Sequence, residues 1–276
     1  MAEIPLKAYE DIEFLKRDEL RAVRLQTELL KAQIVMDEQK IGSTVCVFGG
    51  SRIESPEMAE RRLQTARDHL HAYPDDPATH ARLRKALRAH DRSTYYAMAR
   101  EFSRLMSIVG QKRSTNGMRE YVVTTGGGPG IMEAANRGAT DVEAKTIGLN
   151  ITLPHEQEPN PYITPELSFL FHYFSIRKMH FLLRAKALCA FPGGFGTMDE
   201  LFETLTLIQT VKSEKIPVIL FGEKFWNGLI NWEAFLEWEV ISPNDLHLFQ
   251  YAECPIDGVR MILEFYGESE ALLPHI

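Results

Sequence analysis

A chain of 276 residues with 45% hydrophobic and 25% charged side chains is long enough for one full α/β core with embellishments. Its formal net charge of −7 argues against a polyanionic partner such as nucleic acid held by bulk electrostatics, so any anion has to be bound by local geometry. No window reaches the ~18 unbroken apolar residues of a membrane span, and the N-terminus lacks the apolar core of a signal peptide, so a cytoplasmic protein with no membrane contact is expected.

In chain order, residues 8–40 carry apolar positions at helical spacing (Ile12, Leu15, Leu20, Val23, Leu29, Ile34) and read as an N-terminal helical arm over residues 1–40, packed on the body or serving oligomer contact. A strand at 44–48 opens the main domain, 41–276. The stretch 56–116 is rich in Ala, Arg, Leu and Glu and is interrupted by Tyr73-Pro74-Asp75-Asp76-Pro77. It predicts a helix, a proline turn and then one or two helices ending near Val109, the part at about 57–92 an insertion and the part from Ser93 to Val109 the crossover helix. Between Glu60 and Arg92 eight basic residues face five acids, a charge run read as a solvated helical face in preference to a regulatory nucleotide site. Strands at 121–125, 145–152, 167–171, 187–191 and 217–221 alternate with helices at 131–140, 175–184, 197–210 and 226–238, and a last strand and helix follow at 248–252 and 256–266. This order predicts a Rossmann-like, doubly wound parallel sheet with helices on both faces. The loop 153–161, with its prolines and charges, suits a rim of the crevice or a plain surface connection.

Three strand ends run into glycine turns: Phe48-Gly49-Gly50-Ser51-Arg52, Thr125-Gly126-Gly127-Gly128-Pro129-Gly130 and Phe191-Pro192-Gly193-Gly194-Phe195-Gly196-Thr197. Glycines let backbone approach an anion, and the unpaired N–H groups of a helix's first turn favour phosphate there. Turns on three strand ends of one parallel sheet converge on one crevice, which points to a single nucleotide-like ligand. Glu200 closes the third turn. A carboxylate there repels phosphate unless it serves the sugar, although Thr197 and Glu200 also fit a Ser/Thr-x-x-Glu capping box.

The segments 125–139 (Thr-Gly-Gly-Gly-Pro-Gly-Ile-Met-Glu-Ala-Ala-Asn-Arg-Gly-Ala) and 192–200 (Pro-Gly-Gly-Phe-Gly-Thr-Met-Asp-Glu) resemble the LOG family, long labelled lysine decarboxylases, and the likeness covers roughly 43–222. The resemblance implies a nucleoside 5′-monophosphate phosphoribohydrolase that cuts the N-glycosidic bond of AMP or a cytokinin riboside 5′-monophosphate, without a cofactor and at least as a homodimer. It places the catalytic pair on Arg177, in Ser175-Ile176-Arg177-Lys178-Met179, and on Glu200. The methionine that commonly precedes the arginine is replaced by His172-Tyr173-Phe174, a departure that bears on base preference.

Phosphate is expected on Gly193, Gly194, Gly196 and Thr197, with Gly127, Gly128 and Gly130 walling the same crevice. Ser51, Arg52, Met132, Glu133 and Lys178 are further candidates for ribose or base contacts, with helix-start packing the plain alternative for the first four. For Arg177 the plain alternative is a helix-start ion pair. His172 and His180 lack metal-ligand spacing, and Cys46, Cys189 and Cys254 form neither a disulfide framework nor a Cys-x-x-Cys site, so no metal is expected. Two rivals remain: a non-catalytic nucleotide or molybdenum-cofactor carrier on the same fold, and a pyridoxal phosphate enzyme using Lys178 or Lys186.

Overall fold

Apolar runs with little internal alternation are what a parallel sheet buried on both faces requires, and they become its seven strands. The computed structural model describes residues 5–112, 117–152 and 158–268. The strands are β1 (Thr44–Phe48), β2 (Val122–Thr125), β3 (Ile147–Ile151), β4 (Ser168–Phe171), β5 (Ala185–Ala190), β6 (Val218–Phe221) and β7 (Gln250–Ala252), in spatial order β4-β3-β2-β1-β5-β6-β7. Every pairing is parallel. Chain order therefore reverses at β1, whose neighbours are β2 and β5. In such a sheet the crevice for a ligand opens beyond the carboxyl ends of the strands that flank the reversal.

Both faces are covered, as expected for a doubly wound sheet. Val45 and Val47 of β1 point to a cluster with Phe102, Leu105, Ile131 and Val259, supplied by α4 (Pro77–Ser107), α5 (Ile131–Thr140) and α10 (Pro255–Phe265). Cys46 and Phe48 point the other way, to Met36, Phe181, Leu201 and Trp226 of α2 (Arg21–Glu38), α6 (Phe174–Leu182), α7 (Phe195–Gln209) and α8 (Glu223–Leu229). Cys46 and Cys189 are buried and Cys254 is half-buried, all as free thiols.

Three elements differ from the pattern read off the chain. The arm is broken: α1 (Ile12–Leu15) ends early, and Arg24 turns back from α2 to donate from Nη1 to the carbonyls of Leu15 (2.8 Å) and Arg17 (2.6 Å). Glu28 accepts from the backbone N–H groups of His172 and Tyr173, tying α2 to the start of α6. Of the one or two helices expected after the proline turn there is one: the crossover expected from Ser93 is the second half of α4, a continuous 31-residue helix from Pro77, with no break between it and the insertion. Asp76 caps it through the N–H of Ala78 at 2.9 Å, and nothing between Pro77 and Ser107 interrupts the backbone ladder. Its first half pairs with α3 (Pro56–Ala72) through Leu63, Ala66 and Ala86. Finally, the helix expected at 226–238 is two, α8 and α9 (Trp232–Glu237), because Asn231 leaves the helical conformation and its side chain accepts from the N–H of Ala234 to start a new one.

Candidate active site

A cleft of about 650 Å³ opens at the reversal, between the turns that leave β1 and β5. The turns are joined directly, the Gly50 N–H donating to the Pro192 carbonyl at 2.9 Å. Ser51, Arg52, Met132, Arg177, Gly193, Gly194, Gly196, Thr197 and Glu200 all line this cleft. The size is ordinary for a small-ligand site.

The turn after β5 sets the geometry around Glu200. α7 begins at Phe195 with Gly194 as its N-cap, and no side chain caps it. Thr197 is thus the third helical residue and Glu200 lies beyond the first turn, so the capping-box arrangement does not form. The Glu200 side chain is 6% exposed, lines the cleft and has no hydrogen-bond or ion-pair partner among the described residues. Burial pushes its carboxyl up to about 7, with Glu203 and Asp199 pushing the same way and Lys178 and Arg177 opposing.

Arg177 projects from the start of α6. Its Nε donates to the Leu149 carbonyl in the middle of β3 (2.7 Å), and its guanidinium lies 5.1 Å from the Phe181 ring centre and 6.0 Å from that of Phe174. A Cβ on Gly126 would come within 2.6 Å of Arg177 Nη2, so the first glycine of the second turn makes room for this guanidinium. No carboxylate lies at ion-pair distance among the described residues, which leaves the helix-start ion pair unformed. Burial lowers the Arg177 pKa while Glu200 and Asp199 oppose it.

Other candidates fall elsewhere. Lys178 does not line the cleft; its Nζ lies 3.0 Å from both Asp199 and Glu203 and bolts α6 to α7. Glu133 accepts from the Tyr96 hydroxyl at 2.7 Å, away from the cleft lining. Gly127, Gly128 and Gly130 are also outside that lining, within a buried polar network. Asn160 Nδ2 donates to the carbonyls of Gly127 (3.1 Å) and Gly128 (3.0 Å) and to Asn136 Oδ1 (2.9 Å), and Asn136 in turn donates to Thr146. Of the loop expected at the rim, residues 153–157 lie outside the described residues.

Sequence reasoning passed over Arg92, Phe174, Phe225 and Phe195, which also line the cleft. Phe195 is 96% exposed at the mouth, and a large apolar side chain between two turn glycines was a readable sign that this turn faces something other than the core. Arg92 had no local signal, since it is one arginine in a basic run. Among the described residues, no group of three or more His, Cys, Asp or Glu is placed to hold a metal ion, and no helix is long and apolar enough to cross a membrane.

The sheet order and the position of the cleft define an α/β protein with a cleft at its topological switch point, lined in part by the buried Glu200. Residues 132–262, a span that holds both Arg177 and Glu200, match a family described as "Possible lysine decarboxylase", and the likeness to the LOG family read from the motifs is shown by this match and by the curated relatives. A probable cytokinin riboside 5′-monophosphate phosphoribohydrolase of Oryza sativa subsp. japonica is 26% identical over 99 residues, 36% of this chain and 40% of that protein. A pyrimidine/purine nucleotide 5′-monophosphate nucleosidase of Escherichia coli K12 is 31% identical over 118 residues, 39% of this chain and 26% of that protein. The chain thus aligns with less than half the length of these curated relatives. Among solved structures, the molybdenum cofactor binding protein of Rippkaea orientalis is 22% identical with a TM-score of 0.44, covering 63% of this chain and 88% of its own.

Proposed function

We propose that the protein hydrolyses the N-glycosidic bond of a purine nucleoside 5′-monophosphate, AMP or a cytokinin riboside 5′-monophosphate, to free base and ribose 5-phosphate. The observation that carries this reading is Glu200: a buried carboxylate raised to about 7, without a partner among the described residues, on the wall of a cleft that also offers an uncapped helix N-terminus. The fold gains nothing from an unpaired buried carboxyl; a reaction that builds positive charge at C1′ does.

In the proposed reaction the C1′–N bond breaks with its electron pair leaving on the base, and a water oxygen forms the new bond to C1′. Ionised Glu200 faces the developing oxocarbenium charge and takes the proton from that water, a role suited to a group titrating near neutrality. The N–H groups at the start of α7 hold the 5′-phosphate, so binding energy remote from C1′ positions it. Arg177, held through Nε by Leu149, offers its remaining nitrogens to the ligand as a fixed planar donor. A pyridoxal aldimine has no support here: among the described residues no lysine lines the cleft, Lys178 is paired with two carboxylates, and Lys186 pairs with Glu120 toward the opposite end of the sheet.

The test is release of adenine from AMP by the purified protein, read by chromatography. Glu200→Gln should lower kcat by about 10²- to 10⁴-fold. AMP that binds but is never cleaved by the wild-type protein would make this a carrier and end the enzymatic reading. The homo-oligomer that the family resemblance implies is part of the same proposal and is read by light scattering.

A further inference from the structure

Besides Arg177, two arginines on the cleft wall have no acidic partner among the described residues. Arg52 follows the β1 turn, and Arg92 reaches the same cleft from the middle of α4. Both are exposed, and neither has an ion pair among the described residues; the one bond recorded for Arg92 runs from Nε to the Arg88 carbonyl at 3.0 Å, leaving both Nη groups free to donate. Topology places them. The cleft extends from Gly126, Met132, Phe174 and Arg177, which belong to β2, α5 and α6, across the turns of β1 and β5 to Phe225 on the β6 side. Arg92 reaches the cleft from the α4 side, over the span between α5 and α8: one turn along α4, Tyr95 packs against Gly222 at the start of α8 and Tyr96 donates to Glu133 of α5. The uncapped N-terminus of α7 lies between the two ends.

A mononucleotide laid along this axis has one arrangement that suits the charges. Glu200 and the apolar Met132 and Phe174 suit sugar and base, and the one cation on their side, Arg177, has its charge offset by Glu200, whereas the α7 N-terminus, Arg52 and Arg92 all attract phosphate. Resting on the function proposed above, we propose that Arg92 is a specificity-determining residue: with Arg52 it clamps the 5′-phosphate from the side opposite α7, and selects phosphorylated nucleosides over nucleosides. The helical insertion thereby contributes to the site a residue that lies outside residues 132–262, the segment that matches the family. A planar guanidinium can take two phosphate oxygens at once, so lysine should replace it only in part.

The experiment uses the full chain with Arg92→Ala and Arg92→Lys. Because Arg92 is exposed on a helix surface, both variants should fold, and their unfolding midpoints verify it. For Arg92→Ala, KM for AMP should rise about 10- to 100-fold with kcat within about threefold, while kcat/KM for adenosine stays unchanged; Arg92→Lys should fall between. Equal losses for AMP and adenosine, or no change in either, overturn the assignment. Calorimetric titration with ribose 5-phosphate separates this idea from the parent one. If the wild-type protein releases no base yet binds ribose 5-phosphate at least about tenfold more tightly than Arg92→Ala, the clamp stands and the hydrolase reading falls. If ribose 5-phosphate binds both proteins equally, or neither, the clamp is wrong whatever the activity shows.

Discussion

Two glycine turns of nearly the same lettering do opposite jobs in this molecule. In the turn after β2, Gly127 and Gly130 have φ of 76° and 72°, a region that side chains with a Cβ rarely adopt, and each is also closed in: a Cβ on Gly127 would strike the Asn150 side-chain amide, and one on Gly130 would meet the backbone of Gly50 and Ser51. In the turn after β5, Gly194 and Gly196 have negative φ or none of that strain, and nothing lies within 4 Å of where a Cβ would stand. The protein's own packing explains the first pair and leaves the second unexplained. Glycines that the fold does not need, beside an uncapped helix N-terminus and a carboxylate without a partner among the described residues, are what the proposed binding of a phosphate there would account for.

The largest effect expected belongs to the carboxylate, where Glu200→Gln should abolish turnover by the two to four orders of magnitude given above with little change in AMP affinity. Next is Gly127→Ala, which combines positive-φ strain with a collision against a buried amide and should destabilise the protein by about 3 kcal/mol or more in denaturant unfolding. A Gly127→Ala protein with wild-type stability would erase the contrast between the turns.

Glu200 also links stability to pH. Its folded pKa is raised, so the folded state holds a proton that the unfolded chain releases from about pH 4.5 upward. The stability from the neutral carboxyl is therefore present below about 4.5 and lost as pH rises through about 7. Relative to Glu200→Gln, the wild-type protein should lose roughly 3 kcal/mol across that window, as an upper bound. Activity should move the other way, kcat/KM rising through neutrality as the base ionises. Stability difference and activity that are both flat between pH 5 and 8 would show that the carboxyl is not desolvated.

Much of this was legible along the chain, and the parts that were not have a common cause. All seven strands fell on or beside the runs read for them, three of which lead into glycine turns, because a parallel sheet buried on both faces leaves that signature locally; Glu200 followed from its place at the third turn, and Arg177 only from the resemblance to the LOG family. Whether Glu200 caps α7 could not be read, because the question turns on whether the helix begins at Phe195 or after Thr197, and boundaries of that kind are set by tertiary packing. The roles of the two glycine turns were likewise hidden: what closes over Gly127 is Asn150, on another strand, and what closes over Gly130 is the β1 turn. Arg92 reaches the cleft only because α4 runs unbroken for 31 residues, which a proline-punctuated stretch of mixed charges does not announce.

The smallest effect sharpens the comparison most. Gly196 is the second residue of α7, with open space around it, so Gly196→Ala relieves the entropic cost of a helical glycine and should raise stability by about 0.5–1 kcal/mol, or leave it unchanged. The same methyl would stand where the backbone is proposed to meet phosphate, so affinity for ribose 5-phosphate should drop about tenfold or more even as the unfolding midpoint holds or climbs. Opposite signs from one methyl group are hard to obtain unless a ligand, and not the fold, selected the glycine. If affinity survives Gly196→Ala intact, phosphate does not rest on this helix start, and the axis from Phe174 to Arg92 has to be occupied some other way.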